Sequence, residues 1–123
     1  MLNLKDPTLL RQQCFIDGQW LDADAGAAIE VRNPANGQLL GTVPRMGVAE
    51  TRRAIEAANA AWPAWRSKSA KDRGAILQKW HALMLAHADD LAMIMTAEQG
   101  KPLAEAKGEI GYAASFIEWF AEE

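Results

Sequence analysis

The apolar residues change their period once along this chain, between Pro44 and Gly47, and this change limits the folds that the chain can adopt. Before it, in residues 15–43, apolar and polar side chains alternate, as on strands with one buried face. After it, apolar residues recur every three or four positions, which is the period of a helix face. The sequence therefore predicts an α+β chain, with a β-rich segment at residues 1–44 and a segment of about four helices at residues 45–123.

Turn residues divide the first segment into short strands. In "FIDGQWL", Asp17-Gly18 lies between apolar pairs, and Asp-Gly is a strong signal for a two-residue hairpin turn. Further along, "NPANG" at residues 33–37 separates the alternating Ile29 and Val31 from "QLLGTVP". These signals predict a β-hairpin followed by two more strands.

Four helices are predicted after Gly47. The first is expected to end at Pro63, because proline removes a helix hydrogen bond, and the second to begin at Ser69 as an N-cap. The third is expected to end at Gly100 and the fourth to begin at Pro102. The first helix has one apolar face, formed by Val48, Thr51, Ile55, Ala58 and Trp62. The second has one formed by Ile76, Trp80, Leu83, Met84 and His87.

The last helix carries apolar residues on two sides. One stripe is expected to contact the core: Leu103, Ala106, Ile110, Ala113, Ile117 and Phe120. The other consists of Tyr112, Phe116 and Trp119. A helix that is apolar on two sides is normally buried on both, and a small helical segment has difficulty covering both. We therefore expect the chain to be part of a longer protein.

Composition and charge exclude several classes of function. The net charge is −3, which does not favour nucleic-acid binding, and the lysines and arginines of residues 66–73 are expected to form a solvated face. One cysteine allows no disulfide within the chain, and no apolar run approaches the roughly 20 residues of a membrane span. The sequence predicts a soluble, cytoplasmic protein that binds neither nucleic acid nor membrane.

No catalytic set is visible among the residues themselves. Gly100-Lys101 is not a phosphate-binding P-loop, because Met95 stands where that motif has its first glycine and Pro102 where it has Ser or Thr. Cys14 has no histidine nearby in sequence, and free cysteines are often simply buried. His81 and His87 are six residues apart, which is not the spacing that places two metal ligands on one helix face.

The ordered motifs nevertheless resemble a known family. From about Phe15 to Glu123, the chain resembles the N-terminal part of aldehyde dehydrogenases, in "FIDGQW", "NPANGQLLGTVP", "AIEAANAAWPAW" and "EQGKPLAEAKGEIGYAASFIEWFAEE". The last motif is most similar to succinate-semialdehyde dehydrogenases, with glutarate-semialdehyde dehydrogenases barely distinguishable. The resemblance implies a longer α/β parent protein, of which residues 1–123 form part of a Rossmann-like cofactor-binding domain. It also implies a homodimer or homotetramer.

The implied reaction is the oxidation of succinate semialdehyde to succinate. In this family a cysteine thiolate attacks the aldehyde, a hydride passes to NAD(P)+, and a glutamate activates the water that releases the acid. The residues with these roles lie outside residues 1–123, so the chain contains no catalytic or cofactor-binding residue, and by itself it is expected to be inactive. The alternative function is a stand-alone helical module whose aromatic stripe binds a partner protein.

The resemblance also implies two sites within the chain. Glu98, with the main-chain carbonyls of Val31 and Arg32, would bind a structural monovalent cation, and the alternative is that Glu98 is an ordinary solvated residue. Tyr112, Phe116 and Trp119 would line the channel through which the small aldehyde substrate enters. For these aromatic residues the alternative is packing between domains or subunits.

Overall fold

The computed structural model describes residues 2–123. A 3-10 turn at Pro7–Leu9 precedes four strands and four helices. The strands are β1 (Cys14–Ile16), β2 (Gln19–Leu21), β3 (Ala28–Arg32) and β4 (Leu39–Pro44). The helices are α1 (Val48–Arg66), α2 (Ala70–Ala86), α3 (Ala88–Gln99) and α4 (Leu103–Glu122). The predicted α+β order, short strands followed by four helices, is confirmed.

The strands form two separate antiparallel pairs, β1 with β2 and β3 with β4. Asp17 and Gly18 both have positive φ, 51° and 75°, which a tight two-residue hairpin turn requires. The two-residue turn sets the register of β1 against β2. Phe15 lies opposite Trp20, with the ring centroids 5.0 Å apart. At residues 33–37, the N–H of Gly37 donates to the carbonyl of Asn33 at 2.8 Å, which closes a turn. The Asp17-Gly18 hairpin and the turn at residues 33–37 are therefore confirmed.

The end predicted for α1 is wrong. The helix continues through Pro63 to Arg66, because Pro63 lies in the last turn and its own carbonyl still accepts the N–H of Ser67 at 3.2 Å. The helix hydrogen bond lost to proline would end at the carbonyl of Asn59, an exposed residue that water can reach. One proline near an exposed helix end is therefore tolerated.

The predicted apolar face of α1 is not covered by the described residues. Val48 is 78% exposed, and Ile55 and Trp62 are also exposed. In contrast, α2 and α3 both pack against α4. The small core formed by Ala92, Ala106 and Ile110 lies between α3 and α4. Among residues 2–123, none of the helices combines the length and the hydropathy that a membrane span requires.

The core-facing stripe predicted for α4 is only partly correct. Ala106 and Ile110 are buried, but Ala114 is the next buried residue rather than Ala113, and Leu103 and Phe120 are exposed. The reason is that α4 contacts two helices, and its contact with α2 is close enough to select small residues. A hydrophobic pattern identifies the most apolar face of a helix, and this need not be the face in closest contact.

The same reasoning corrects α2. Ile76, Trp80 and Leu83, on its predicted apolar face, remain about half exposed. The buried position of α2 is Gly74, whose Cα lies so close to α4 that an added Cβ would be 2.7 Å from the carbonyl oxygen of Ala121.

The joint between α3 and α4 is confirmed as a helix end and a helix start. Gly100 has φ +81°, the left-handed conformation typical of a residue that follows a helix. Pro102 is extended and precedes the first helical residue, Leu103, so it lies one position earlier than predicted. The joint packs on the turn after β3, because a Cβ at Gly100 would be 3.0 Å from Cγ of Pro34.

Candidate functional site

The three aromatic residues predicted to line a channel lie on one exposed side of α4, and together we call them the aromatic wall. Tyr112, Phe116 and Trp119 are 65%, 47% and 62% exposed. The rings of Tyr112 and Phe116 meet edge to face, with centroids 4.8 Å apart. Each large apolar side chain gains about 1.5–3 kcal/mol when it is fully buried, so the wall presents a surface that favours an apolar contact.

An open groove of about 750 Å³ lies along the C-terminal part of this wall. Phe116 and Trp119 line it together with Phe120, whereas Tyr112 does not. The other lining residues are Ser115, Glu118, Glu122 and Glu123, so the groove has an apolar floor and acidic edges without a lysine or arginine. Such a surface suits the hydrocarbon part of a ligand and disfavours a carboxylate.

The residues predicted to bind a cation come from α3 and β3, and the chain just after α3 approaches the chain just after β3 where Gly100 lies against Pro34. Glu98 lies exposed in the last turn of α3, and Val31 and Arg32 are in β3, at an irregularity in its pairing with β4. The Arg32 side chain donates to Glu30 at 2.7 Å and to the carbonyl of Gly37 at 2.9 Å. Within residues 2–123, no group of three or more His, Cys, Asp and Glu residues could hold a metal ion. A cation at Glu98 would therefore depend on main-chain carbonyls.

The remaining candidate nucleophile and base are not brought together. Cys14 is half-buried in β1 and pairs with Leu21 across the hairpin. His81 is on α2, where Nδ1 is 3.0 Å from the carbonyl oxygen of Ala114 in α4. Because a carbonyl only accepts hydrogen bonds, Nδ1 carries the proton, and His81 links two helices.

Two buried carboxylates were not found by sequence reasoning. Asp90, 3% exposed at the start of α3, accepts the backbone N–H groups of Lys5 at 2.9 Å and Asp6 at 2.8 Å. No local sequence pattern indicates these hydrogen bonds, because Asp90 bonds to residues that lie more than 80 positions away in the chain.

The second buried carboxylate, Glu50, ties the start of α1 to the loop after β2. It is 7% exposed and accepts the N–H groups of Gly47 at 3.0 Å and Asp24 at 3.2 Å. The backbone amide of Glu50 itself, followed by those of Gly47 and Asp24, lowers the pKa of the Glu50 carboxyl. A glutamate three residues after the N-cap is the sequence signal that could have indicated this contact.

Asp24 strengthens the same connection. Arg53 donates to both of its carboxylate oxygens, at 2.8 Å and 2.6 Å. This hydrogen-bonded pair lowers the pKa of Asp24 and raises that of Arg53. Both side chains are about half exposed. The pair therefore orients the loop after β2 against α1 and adds little to the free energy of unfolding.

Comparison with known proteins adds independent information. The sequence model of the aldehyde dehydrogenase family matches residues 20–123. The chain is 66% identical over 122 residues to a glutarate-semialdehyde dehydrogenase of Pseudomonas putida, covering 99% of this chain and 25% of that protein. It has the same identity and coverage with the succinate-semialdehyde dehydrogenase [NADP(+)] of Escherichia coli K12.

A solved structure is similar over the whole chain. The crystal structure of an aldehyde dehydrogenase from Brucella melitensis biovar abortus 2308 matches with a TM-score of 0.99 and 58% identity. The match covers 100% of this chain and 26% of that one. The chain therefore spans about a quarter of the length of the proteins that it matches.

Proposed function

Because the chain belongs to the aldehyde dehydrogenase family, we propose that it is the N-terminal portion of an NAD(P)+-dependent enzyme that oxidises succinate semialdehyde to succinate. The observation that carries this proposal is the 66% identity to the Escherichia coli succinate-semialdehyde dehydrogenase over 99% of the chain. Residues 1–44 and 45–123 would together be part of its cofactor-binding domain. The equal identity to a glutarate-semialdehyde dehydrogenase makes the homologous five-carbon semialdehyde the second candidate substrate.

The test is the activity of the full-length enzyme with each semialdehyde. We expect NAD(P)H formation with a higher kcat/KM for succinate semialdehyde than for glutarate semialdehyde, and no activity for residues 1–123 alone. A higher kcat/KM for glutarate semialdehyde would make glutarate semialdehyde the preferred substrate. If NAD(P)H forms with neither semialdehyde, the proposed function is wrong.

The division of roles follows from the side chains that are present. NAD(P)+, when bound, accepts the hydride, and we assign none of its contacts to residues 1–123, which contain no glycine-rich phosphate-binding turn. The nucleophilic cysteine and the glutamate that activates water are likewise assigned to the remaining polypeptide. In this proposal, residues 1–123 contribute the aromatic wall of the substrate channel and structural support for the rest of the enzyme.

In this proposal the aromatic wall lines the aldehyde channel and contacts the methylene chain of the substrate. The acidic edges of the groove have no lysine or arginine, so the substrate carboxylate would bind to residues outside this chain. In the full-length enzyme, Phe116→Ala and Trp119→Ala should raise KM for succinate semialdehyde and leave KM for NAD(P)+ nearly unchanged.

A suitable control is Trp80→Ala, which removes an exposed tryptophan from α2, outside the wall. It should leave both KM values near those of the wild type. If the wall variants instead lose stability or dissociate with unaltered kinetics, the wall is a packing surface.

We also propose that Glu98 and the carbonyls of Val31 and Arg32 bind a monovalent cation. The contact between Gly100 and Pro34 supports this site, because it joins the end of α3 to the turn after β3. Added K+ or Na+ should then raise the melting temperature of the wild type but not of Glu98→Gln, with Glu105→Gln as the control. An equal response of all three proteins would contradict the site.

The remaining features are proposed on the same basis. The enzyme would be a cytoplasmic homodimer or homotetramer. The alternative, a stand-alone interaction module, draws support from the uncovered faces of α1 and α4. We favour the enzyme because the similarity covers the strands and turns as well as the helices.

A further inference from the structure

Helices α2 and α4 are antiparallel, and two of the contacts between them have the same spacing along both helices. At one point, Gly74 lies against the carbonyl of Ala121, where an added Cβ would be 2.7 Å from the oxygen. At the other, Nδ1 of His81 donates to the carbonyl of Ala114 at 3.0 Å. The two contact residues are seven positions apart in each helix, which is about two turns.

These contacts restrict different movements of α4. The close approach at Gly74 limits the distance between the helices, because only glycine leaves room for the Ala121 carbonyl. The hydrogen bond from His81 has a direction, so it limits both sliding and rotation. A slip of one turn would move α4 by about 5.4 Å and separate both pairs. Gln78, on the same side of α2, adds a third contact by donating to Glu122 at 2.8 Å.

The aromatic wall depends on this arrangement. Phe116 and Trp119 lie between Ala114 and Ala121, so the segment that carries them is held at both ends by α2. We propose, on the basis of the function proposed above, that Gly74 and His81 are positioning residues that set the place of Phe116 and Trp119 in the substrate channel. Neither residue belongs to the wall, and both act through α4.

The experiment uses the full-length enzyme and two substitutions of one residue. His81→Leu fills a similar space without a donor, whereas His81→Asn retains an N–H near the position of Nδ1. We expect His81→Leu to raise KM for succinate semialdehyde by at least about threefold, since small misplacements of positioning groups are costly. KM for NAD(P)+ should not change, and His81→Asn should restore much of the wild-type value.

A double-mutant cycle shows whether the effect passes through the wall. In a Phe116→Ala background, His81→Leu should raise KM much less than it does in the wild type, because substitutions coupled through a shared shift of the backbone are not additive. Full additivity, or a lower melting temperature with unchanged KM, would overturn the positioning role. Activity of the wild type with succinate semialdehyde is measured first, so failure of the proposed function is seen separately.

Discussion

The helices of this chain are held in two different ways. Helices α2, α3 and α4 pack along one another around small side chains such as Ala106 and Ala114. Helix α1 has no extensive contact with another element of residues 2–123 and is tied at its first turns by Glu50 and Arg53. The difference shows that this chain uses close packing where helices meet and buried carboxylates where a helix meets a loop.

The largest effect is expected from a substitution that breaks the close packing. Gly74→Val should destabilise the full-length enzyme by about 3 kcal/mol, the upper end for overpacking a well-packed core, because its side chain would clash with the Ala121 carbonyl. The melting temperature or a urea titration measures this. Gly108→Ala is the control, because nothing lies within 4 Å of its added Cβ, and it should stabilise α4 by roughly 0.5–1 kcal/mol. Equal effects at both glycines would contradict the close approach.

A smaller effect is expected at the carboxylate that holds the N-terminal residues. Asp90→Asn should cost about 1.5–3 kcal/mol, because both hydrogen bonds would lose their charged acceptor and one of the two backbone N–H groups would face an NH2 donor instead of an oxygen. Proteolysis should also cut residues 2–13 faster in the variant. Asp89→Asn removes an exposed carboxylate that pairs with Lys5 and Lys107, and it should cost less. If the two variants are equally stable, Asp90 does not anchor this segment.

The smallest effect is expected at Glu50, which ties the start of α1 to the loop after β2, and this effect depends on pH. Since the pKa of Glu50 is lowered from its ordinary value of 4.5, its carboxylate stabilises the fold above pH 4.5, and this stabilisation is lost as the pH falls through the folded pKa. Glu50→Gln should reduce stability at pH 7 by less than Asp90→Asn does, because one of the two N–H groups that Glu50 accepts, that of Gly47, belongs to the same helix start. The difference from the wild type should shrink below pH 4.5. A difference that is constant from pH 7 to pH 3 would show that the charge of Glu50 is not involved.

The predictions that succeeded depend on a few neighbouring residues. Asp17-Gly18 and Gly100 adopt positive φ as predicted, because turn and cap conformations follow from local backbone chemistry. Pro63 shows the limit of such rules, since proline interrupts a helix less when it lies near an exposed end. The spacing of the aromatic residues of α4 predicted that they share one side of the helix, and Tyr112 contacts Phe116 while Phe116 and Trp119 line one groove.

Contacts between distant segments could not be predicted in the same way. Ala113 and Ala114 are chemically identical, and only the position of α2 makes Ala114 the buried one. The roles of Glu98, Val31, Arg32 and the aromatic wall stay predictions.

The sequence by itself determined the order of strands and helices, the positions of the tight turns and the family. These properties follow from hydrophobic period and turn chemistry, which act over a few residues. Only the tertiary structure decided that Asp90 accepts hydrogen bonds from Lys5 and Asp6 and that Glu50 accepts one from Asp24. The contacts of Gly74 and His81 with α4 were likewise decided by the tertiary structure. A hydrogen bond or a close helix contact depends on which distant segments come together, and that is set by the packing of the whole chain.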